Sequence, residues 1–241
     1  MSAFSSAGSP AALERMSAQL AAWEAGGDRR AIFLGCYRLM TVNMHTALAS
    51  GEFHDARWVG ALLERFADYY FDALAAYVQA TGRGPAANGE VPAVWRLTHD
   101  AARNPETQVL QNLMLGVNAH ICYDLVLTVA ELLAPEWASL GDERRARRHA
   151  DHSHVNAVIA RTVDAVQDTV VERFAPRLDL LDLALGPLDE WLASRLIARW
   201  REGVWQAAVQ MAETSEAAAR EALRLEVEAA ALRRARAILL R

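Results

Sequence analysis

The sequence predicts an all-α protein, a single-domain bundle of seven to eight helices. Three observations carry that prediction. Apolar residues recur at steps of three and four along most of the chain. Nowhere do β-branched residues alternate with polar ones over four or more positions, so no strand pattern appears. Gly- and Pro-bearing breaks divide the periodic segments at short intervals, as in a bundle. The 241 residues suffice for one large core, and 53 % hydrophobic with 23 % charged residues exclude a disordered, collagen-like or disulfide-scaffold chain.

Residues 1–9 read as a small-residue tail, and Pro10 to about Glu24 as a first helix stopped by Gly26-Gly27. Asp28 caps a second helix through Ala49, with Ile32, Cys36, Leu39 and Met40 on one face. A third runs from Asp55 to about Ala80, with Trp58, Leu62, Phe66, Tyr69, Ala73 and Tyr77 at helical spacing. Residues 81–92 form a Gly/Pro-rich loop, followed by a short helix over about 92–102. Asn104-Pro105-Glu106 then looks like the start of a long helix to Leu133, since Asn suits an N-cap and Pro the first turn. Its segment LMLGVNAHICYDLVLTVAELL is apolar nearly all round and predicts the central, buried rod. A next helix, with its start open between about 143 and 151, runs to Phe174. Pro176 breaks it, a short PRLDLLDLAL helix follows, Gly186-Pro187 punctuates, and residues 188–212 form another helix. The Glu/Arg-rich tail with its Ala/Leu stripe reads as an amphipathic helix suited to a neighbouring chain, a possible homodimer contact. The expected organisation is residues 1–27 as tail and first helix, 28–212 as bundle core, and 213–241 as C-terminal helix.

All 25 basic residues are arginine. Without lysine there is no Schiff base, no pyridoxal-phosphate aldimine and no P-loop of the Walker type. A net charge of −5 argues against a nucleic-acid partner. The N-terminus lacks a basic stretch followed by an apolar core, and no uninterrupted run of about 18 apolar residues occurs. No secretory signal and no membrane span are therefore expected, and the cytoplasm is the expected compartment. Arginine without lysine, beside heavy Ala, Leu and Val usage, suggests a GC-rich bacterial source. Cys36 and Cys122 lie in apolar helical contexts and read as small buried hydrophobes.

His120 and Asp124 stand four residues apart in the central rod, so both point the same way. An imidazole and a carboxylate are costly to bury unpaired. They must meet each other, a metal, another helix or water. Asn118 precedes them. RRHADHSHVNAV sets His149, His152 and His154 around Asp151, with Asn156 four residues after His152. Histidine clusters suit transition metals, but four nearby arginines and a possible N-cap at Asp151 or Ser153 favour a helix start. Of the three, His152 is the candidate ligand. Glu64, Asp68 and Asp72 form an acidic ladder, as do Asp164, Asp168 and Glu172; such ladders want arginine or metal. Asp68 stands out beside Tyr69-Tyr70. Trp191, Trp200 and Trp205 alternate with Arg195, Arg199 and Arg201, a core pattern that also admits a pocket for an anionic or aromatic ligand. Glu-x-x-His, His-Glu-x-x-His, Gly-x-Ser-x-Gly and Asp-rich diphosphate motifs are absent.

The segments FHDARWVGALLERFADYYFDAL, PAVW, LMLGVNAHICYDL and ADHSHVNAV together resemble an uncharacterised, mainly bacterial family of all-helical proteins of unknown function. The likeness spans roughly residues 30–210. It is most specific at Leu115, Gly116, Asn118, Ala119, His120, Ile121, Asp124 and Leu125, and at Asp151, His152, Val155 and Asn156. It implies that these residues act together and supplies no reaction. The string Leu115-Gly116 through His120 to Asp124-Leu125 is also faintly similar to zinc-dependent phospholipases C and nucleases, in which the His and Asp bind zinc. The chain departs from that group: no further His closely follows Asp124-Leu125, and no N-terminal Trp ligand is present.

The expected activity is that of a small-molecule enzyme of hydrolase or lyase/cyclase type, with a place in bacterial secondary metabolism. His120 and Asp124 are its expected catalytic residues, with Asn118, Asn156 and Asp68 binding substrate. In the metal-dependent form, His120, Asp124 and His152 would ligate one divalent ion (Zn, Fe or Mg). In the metal-free form the carboxylate would orient the imidazole as a base. The alternative is a non-catalytic ligand-binding or scaffold protein in which the same polar residues lock helices together.

Overall fold

The computed structural model describes residues 11–82, 90–166 and 186–240; the side chains of 163–166 and 186–193 lie outside that description. The expected helix to Phe174, the break at Pro176, the PRLDLLDLAL helix, most of the second acidic ladder and the Trp191 side chain therefore fall outside it. Among the described residues there are eight helices and no strand. They are α1 (Ala11–Ala25), α2 (Ala31–Ala49), α3 (Ala56–Ala80) and α4 (Ala93–Arg103). The rod α5 spans Val109–Leu133. It is followed by α6 (Asp142–Val166), α7 (Gly186–Glu213) and α8 (Ala217–Leu239).

Local chemistry sets most of the boundaries. Gly27 and Gly51, at φ 65° and 73°, end the first two helices in a left-handed turn that other residues resist. Asp55 caps α3 by accepting the Trp58 N–H at 2.9 Å. The rod starts later than the Asn-Pro-Glu signature predicts. Asn104 closes a local turn by accepting the Glu106 N–H instead, and helix begins at Val109, where the Gln111 side chain caps the Gln108 N–H. The open start of α6 lies at Asp142, whose carboxylate with that of Glu143 favours a helix N-terminus. Gly186-Pro187 opens α7 rather than preceding it, because a proline in the first turn removes no intrahelical bond.

The rod lies at the centre, against α2, α3, α4, α7 and α8. By length and composition it could cross a membrane, yet 78 % of its most apolar window is buried by these neighbours. Near its middle the α-helix gives way to one π-turn over His120–Asp124 before resuming at Leu125. Ala12, Met16 and Trp23 of α1 and Ala231 of α8 belong to the same apolar core as the rod. The tail helix thus buries its small-residue stripe within its own chain. Asn118 donates to the Ala231 carbonyl, Arg224 to the Tyr123 hydroxyl, and Gln111 to the Ile238 carbonyl. Ala231 and Ala235 of the Ala/Leu stripe pack within the chain, while Leu225 and Leu240 stay exposed.

Candidate functional site

The rod carries its polar pair inward. His120 is 3 % exposed and Asp124 1 %. Successive side chains here come from the widened π-turn, a deformation that recurs at functional sites. His120 Nδ1 lies 2.9 Å from Asp124 Oδ2. Trp95, from α4, donates its indole N–H to both carboxylate oxygens, at 2.9 and 3.0 Å. The indole N–H and the imidazole thus hold the carboxyl group from two sides, and the carboxyl holds the imidazole.

Five aromatic rings enclose that imidazole. Phe66 of α3 stacks on it at 3.5 Å between centroids and 8° between planes, and Tyr37 of α2 meets it edge-on at 4.2 Å. Phe33, Tyr70 and Trp95 complete the enclosure at 5.7, 5.9 and 6.3 Å. In this low-dielectric setting burial pushes His120 well below the usual histidine range and Asp124 well above the usual carboxylate range; the Trp95 N–H offsets part of the latter. The imidazole is therefore uncharged at neutral pH.

His120 Nε2 is sealed from solvent and has no hydrogen-bond partner. The Tyr37 and Tyr70 rings pack against the imidazole, and their hydroxyls have no hydrogen-bond partner among the described residues. Burial keeps both phenols protonated, and the nearby Asp124 carboxyl adds to the effect. An imidazole with one nitrogen tied to a carboxyl and the other uncommitted is the arrangement that acid–base chemistry uses.

The other expected site residues do not join this pair. Asn118 is buried one helical step away, where it donates to the Ala231 carbonyl and leaves its own Oδ1 without a partner. Asp68 faces outward: its carboxylate takes a hydrogen bond from Arg15 at 2.6 Å, and both side chains are 44 % exposed. The structure places Asp68 in a solvated ion pair on the outer face of α3, apart from the His120 pair. His152 and Asn156 belong to the α6–α7 seam. His152 Nε2 donates to the Arg201 carbonyl at 2.9 Å, Arg201 Nη2 donates to the His152 carbonyl at 2.6 Å, and Arg201 Nε donates to Asn156 Oδ1 at 2.9 Å.

The structure does not bring His120, Asp124 and His152 together: His152 bonds the Arg201 carbonyl in another seam, away from the His120–Asp124 pair. Among the described residues no three His, Cys, Asp or Glu side chains converge to hold an ion. Asp124 is already saturated by an imidazole and an indole, and His152 faces a carbonyl 49 residues along the chain.

Asp151 has a role that the sequence did not reveal. Its carboxylate, 1 % exposed, accepts the backbone N–H groups of His54 and Asp55 at 2.7 and 2.8 Å and so clamps the turn into α3. His154 meets Glu52 at 2.9 Å on the same turn. The Asp-His-x-x-Val-Asn segment is thus a fastening between three elements. Trp95 was also missed as a site residue, although a buried carboxyl demands N–H donors and PAVW supplies one from the facing helix.

The faint zinc-phospholipase likeness finds no support in comparisons with known proteins. No functionally curated protein and no solved structure matches the chain. One family model does match, over residues 10–241, and so includes the tail that the resemblance had left out. With an all-helical body and that match along nearly its whole length, the chain belongs to DUF5995, a family of unknown function.

Proposed function

We propose that the chain is a small-molecule enzyme of acid–base type in which His120 Nε2 exchanges the reacting proton. One observation carries this reading: a buried imidazole whose Nδ1 is held by a carboxyl and whose Nε2 has been left without a partner. An orphaned buried polar atom costs about 1–3 kcal/mol; His99 also leaves its Nε2 unpaired, and what sets His120 apart is the carboxyl held against its other nitrogen. With Asp124 protonated, its O–H serves Nδ1 and Nε2 bears a hydrogen to donate. After one proton leaves the pair, Nδ1 carries the remaining hydrogen toward the carboxylate and Nε2 presents a lone pair. Trp95 stabilises that carboxylate through its two contacts. The Tyr37 and Tyr70 hydroxyls are the polar groups available to orient a substrate oxygen. A substrate reaches Nε2 only when the Phe66 and Tyr37 rings move aside, so catalysis requires an opening between α2 and α3. The cytoplasmic location and a place in bacterial secondary metabolism rest on composition and belong to the same proposal.

A second reading is favoured by the seal itself. With 3 % and 1 % exposure, the pair also suits a non-catalytic protein in which it locks the rod to α4. Asp124→Asn separates the two. Asn retains an acceptor for Trp95 and a donor for Nδ1, so shape and hydrogen bonds survive while the proton exchange is lost. On the enzymatic reading the variant is as stable as the parent, or up to about 2 kcal/mol more stable in urea melts. Its imidazole nitrogens no longer titrate together with a carboxyl by nitrogen NMR. A loss of a few kcal/mol would mark the pair as a lock.

A further inference from the structure

A second cluster lies on the seam between α6 and α7 and shares no residue with the His120 pair. Arg145, His149, His152 and Asn156 follow at steps of four, three and four, one face of α6. That face meets Arg201 and Trp205 of α7. The rings of His149 and His152 lie 5.0 and 5.3 Å from Trp205, Trp205 crosses Trp137 at 6.0 Å, and Arg145 sits over Trp137 at 4.9 Å. Tryptophan walls and guanidinium groups thus alternate along the seam.

Arg201 is the anomaly. It is 5 % exposed, and its acceptors are an amide oxygen and a backbone carbonyl, both neutral. Among the described residues no carboxylate pairs with Arg201 or Arg145, whereas Arg148, three residues after Arg145, holds both Asp55 and Glu136. The adjacent Glu202 turns to His149 at the exposed rim instead. Burial lowers Arg201 to about 10, which still leaves it charged at neutral pH. His152 is neutral and donates to the Arg201 carbonyl, so it positions the arginine without adding charge. Nη1 has no acceptor among the described residues. A buried guanidinium without a counter-charge is costly, and a planar oxyanion on its free edge removes that cost.

We infer that the α6–α7 seam is a binding site for a small oxyanion, the carboxylate or phosphate group of an organic ligand, held by Arg201 against the Trp205 and Trp137 rings.

The test is thermal melting of the full chain in benzoate, in inorganic phosphate, and in chloride at equal ionic strength. A saturable rise in Tm with benzoate or phosphate, absent in chloride, is expected, and the more effective probe identifies the anion class. Arg201→Gln should abolish the rise. Because that variant risks misfolding, Asn156→Asp is the second arm: it places a carboxylate against Arg201 Nε from within the chain. It should raise Tm in anion-free buffer and weaken the saturable response at least about tenfold. A parent protein that responds to neither probe, or equally to chloride, overturns the inference. So does an Asn156→Asp variant that is destabilised or binds the anion as well as the parent.

Discussion

Trp95 donates to both oxygens of a carboxyl that burial has already pushed up. Its N–H favours the ionised form, so Trp95→Phe should raise the carboxyl further and cost about 1–3 kcal/mol. The sign with pH follows from linkage. A carboxyl raised above its unfolded value of 3.8 contributes fully below that pH and loses its contribution as pH rises toward the folded value. The deficit of Trp95→Phe in urea melts should therefore grow as pH rises through the range where the folded carboxyl ionises; a deficit that stayed constant while Asp124 was seen to ionise would show that the indole acts by packing alone. The partnership of His120 with Asp124 was legible in the sequence because it is local, four residues on one helix. Their other neighbours were not. Trp95 lies 29 residues from Asp124 and Phe66 lies 54 from His120, and helix spacing says nothing about which facing helix supplies a donor or a ring. His152 illustrates the same limit, since its histidine-cluster pattern is equally compatible with a metal ligand and with a bond to the Arg201 carbonyl.

At the scale of elements, the rod approaches α2 so closely that only glycine fits at position 116. A Cβ there would lie 2.3, 2.5 and 2.7 Å from three Phe33 atoms, including the Phe33 Cβ, which cannot swing away. Phe33 in turn lies edge-on to His120. Gly116→Ala should thus separate α2 from the rod and cost about 1–3 kcal/mol despite alanine's better helix propensity. Denaturant melts measure the loss; a rise in stability would mean that the helices part freely. The helices themselves were legible because each has a strong period and a chemical stop, as at Gly27, Gly51 and Asp55. The start of the rod and the start of α6 were not. At the first, Asn104 satisfied a turn instead of a cap, and at the second a run of charged residues hid the period. The π-turn at His120–Asp124 has no signature in residue type at all, since its five residues would form an ordinary α-helix as readily.

Across the whole molecule, the interior admits titratable side chains mainly in uncharged form. His99, His120 and His152 sit on three different helices, each 3 % exposed, and burial lowers all three from 6.5, His99 to about 3. Asp151 is a buried carboxylate held by two backbone N–H groups, whereas Arg201 faces only neutral acceptors among the described residues, which is why an anion is proposed for the seam around it. This distribution dictates the response of the fold to acid. A histidine lowered on folding contributes stability that is complete above 6.5 and is lost as pH falls toward the folded value, because only the unfolded chain takes up the proton. Each such group adds a slope of about 1.4 kcal/mol per pH unit. Asp124, raised on folding, offsets one of these histidines, so the net should still be a fall in stability from pH 6.5 to about 5, before the lowered carboxylates Glu52 and Glu221, with unfolded value 4.5, and Asp28 and Asp55, with 3.8, begin to matter. His99→Phe isolates one term. The ring keeps the stacking of His99 on Trp95 and Tyr77, removes a nitrogen that has no partner, and cannot take up a proton in either state. Urea melts at pH 7.5, 6, 5 and 4 should show a slope shallower by one proton and a variant that overtakes the parent as pH falls. If the two profiles ran parallel, His99 would be charged in the folded protein, and the uncharged interior on which the acid–base reading of His120 depends would lose its support.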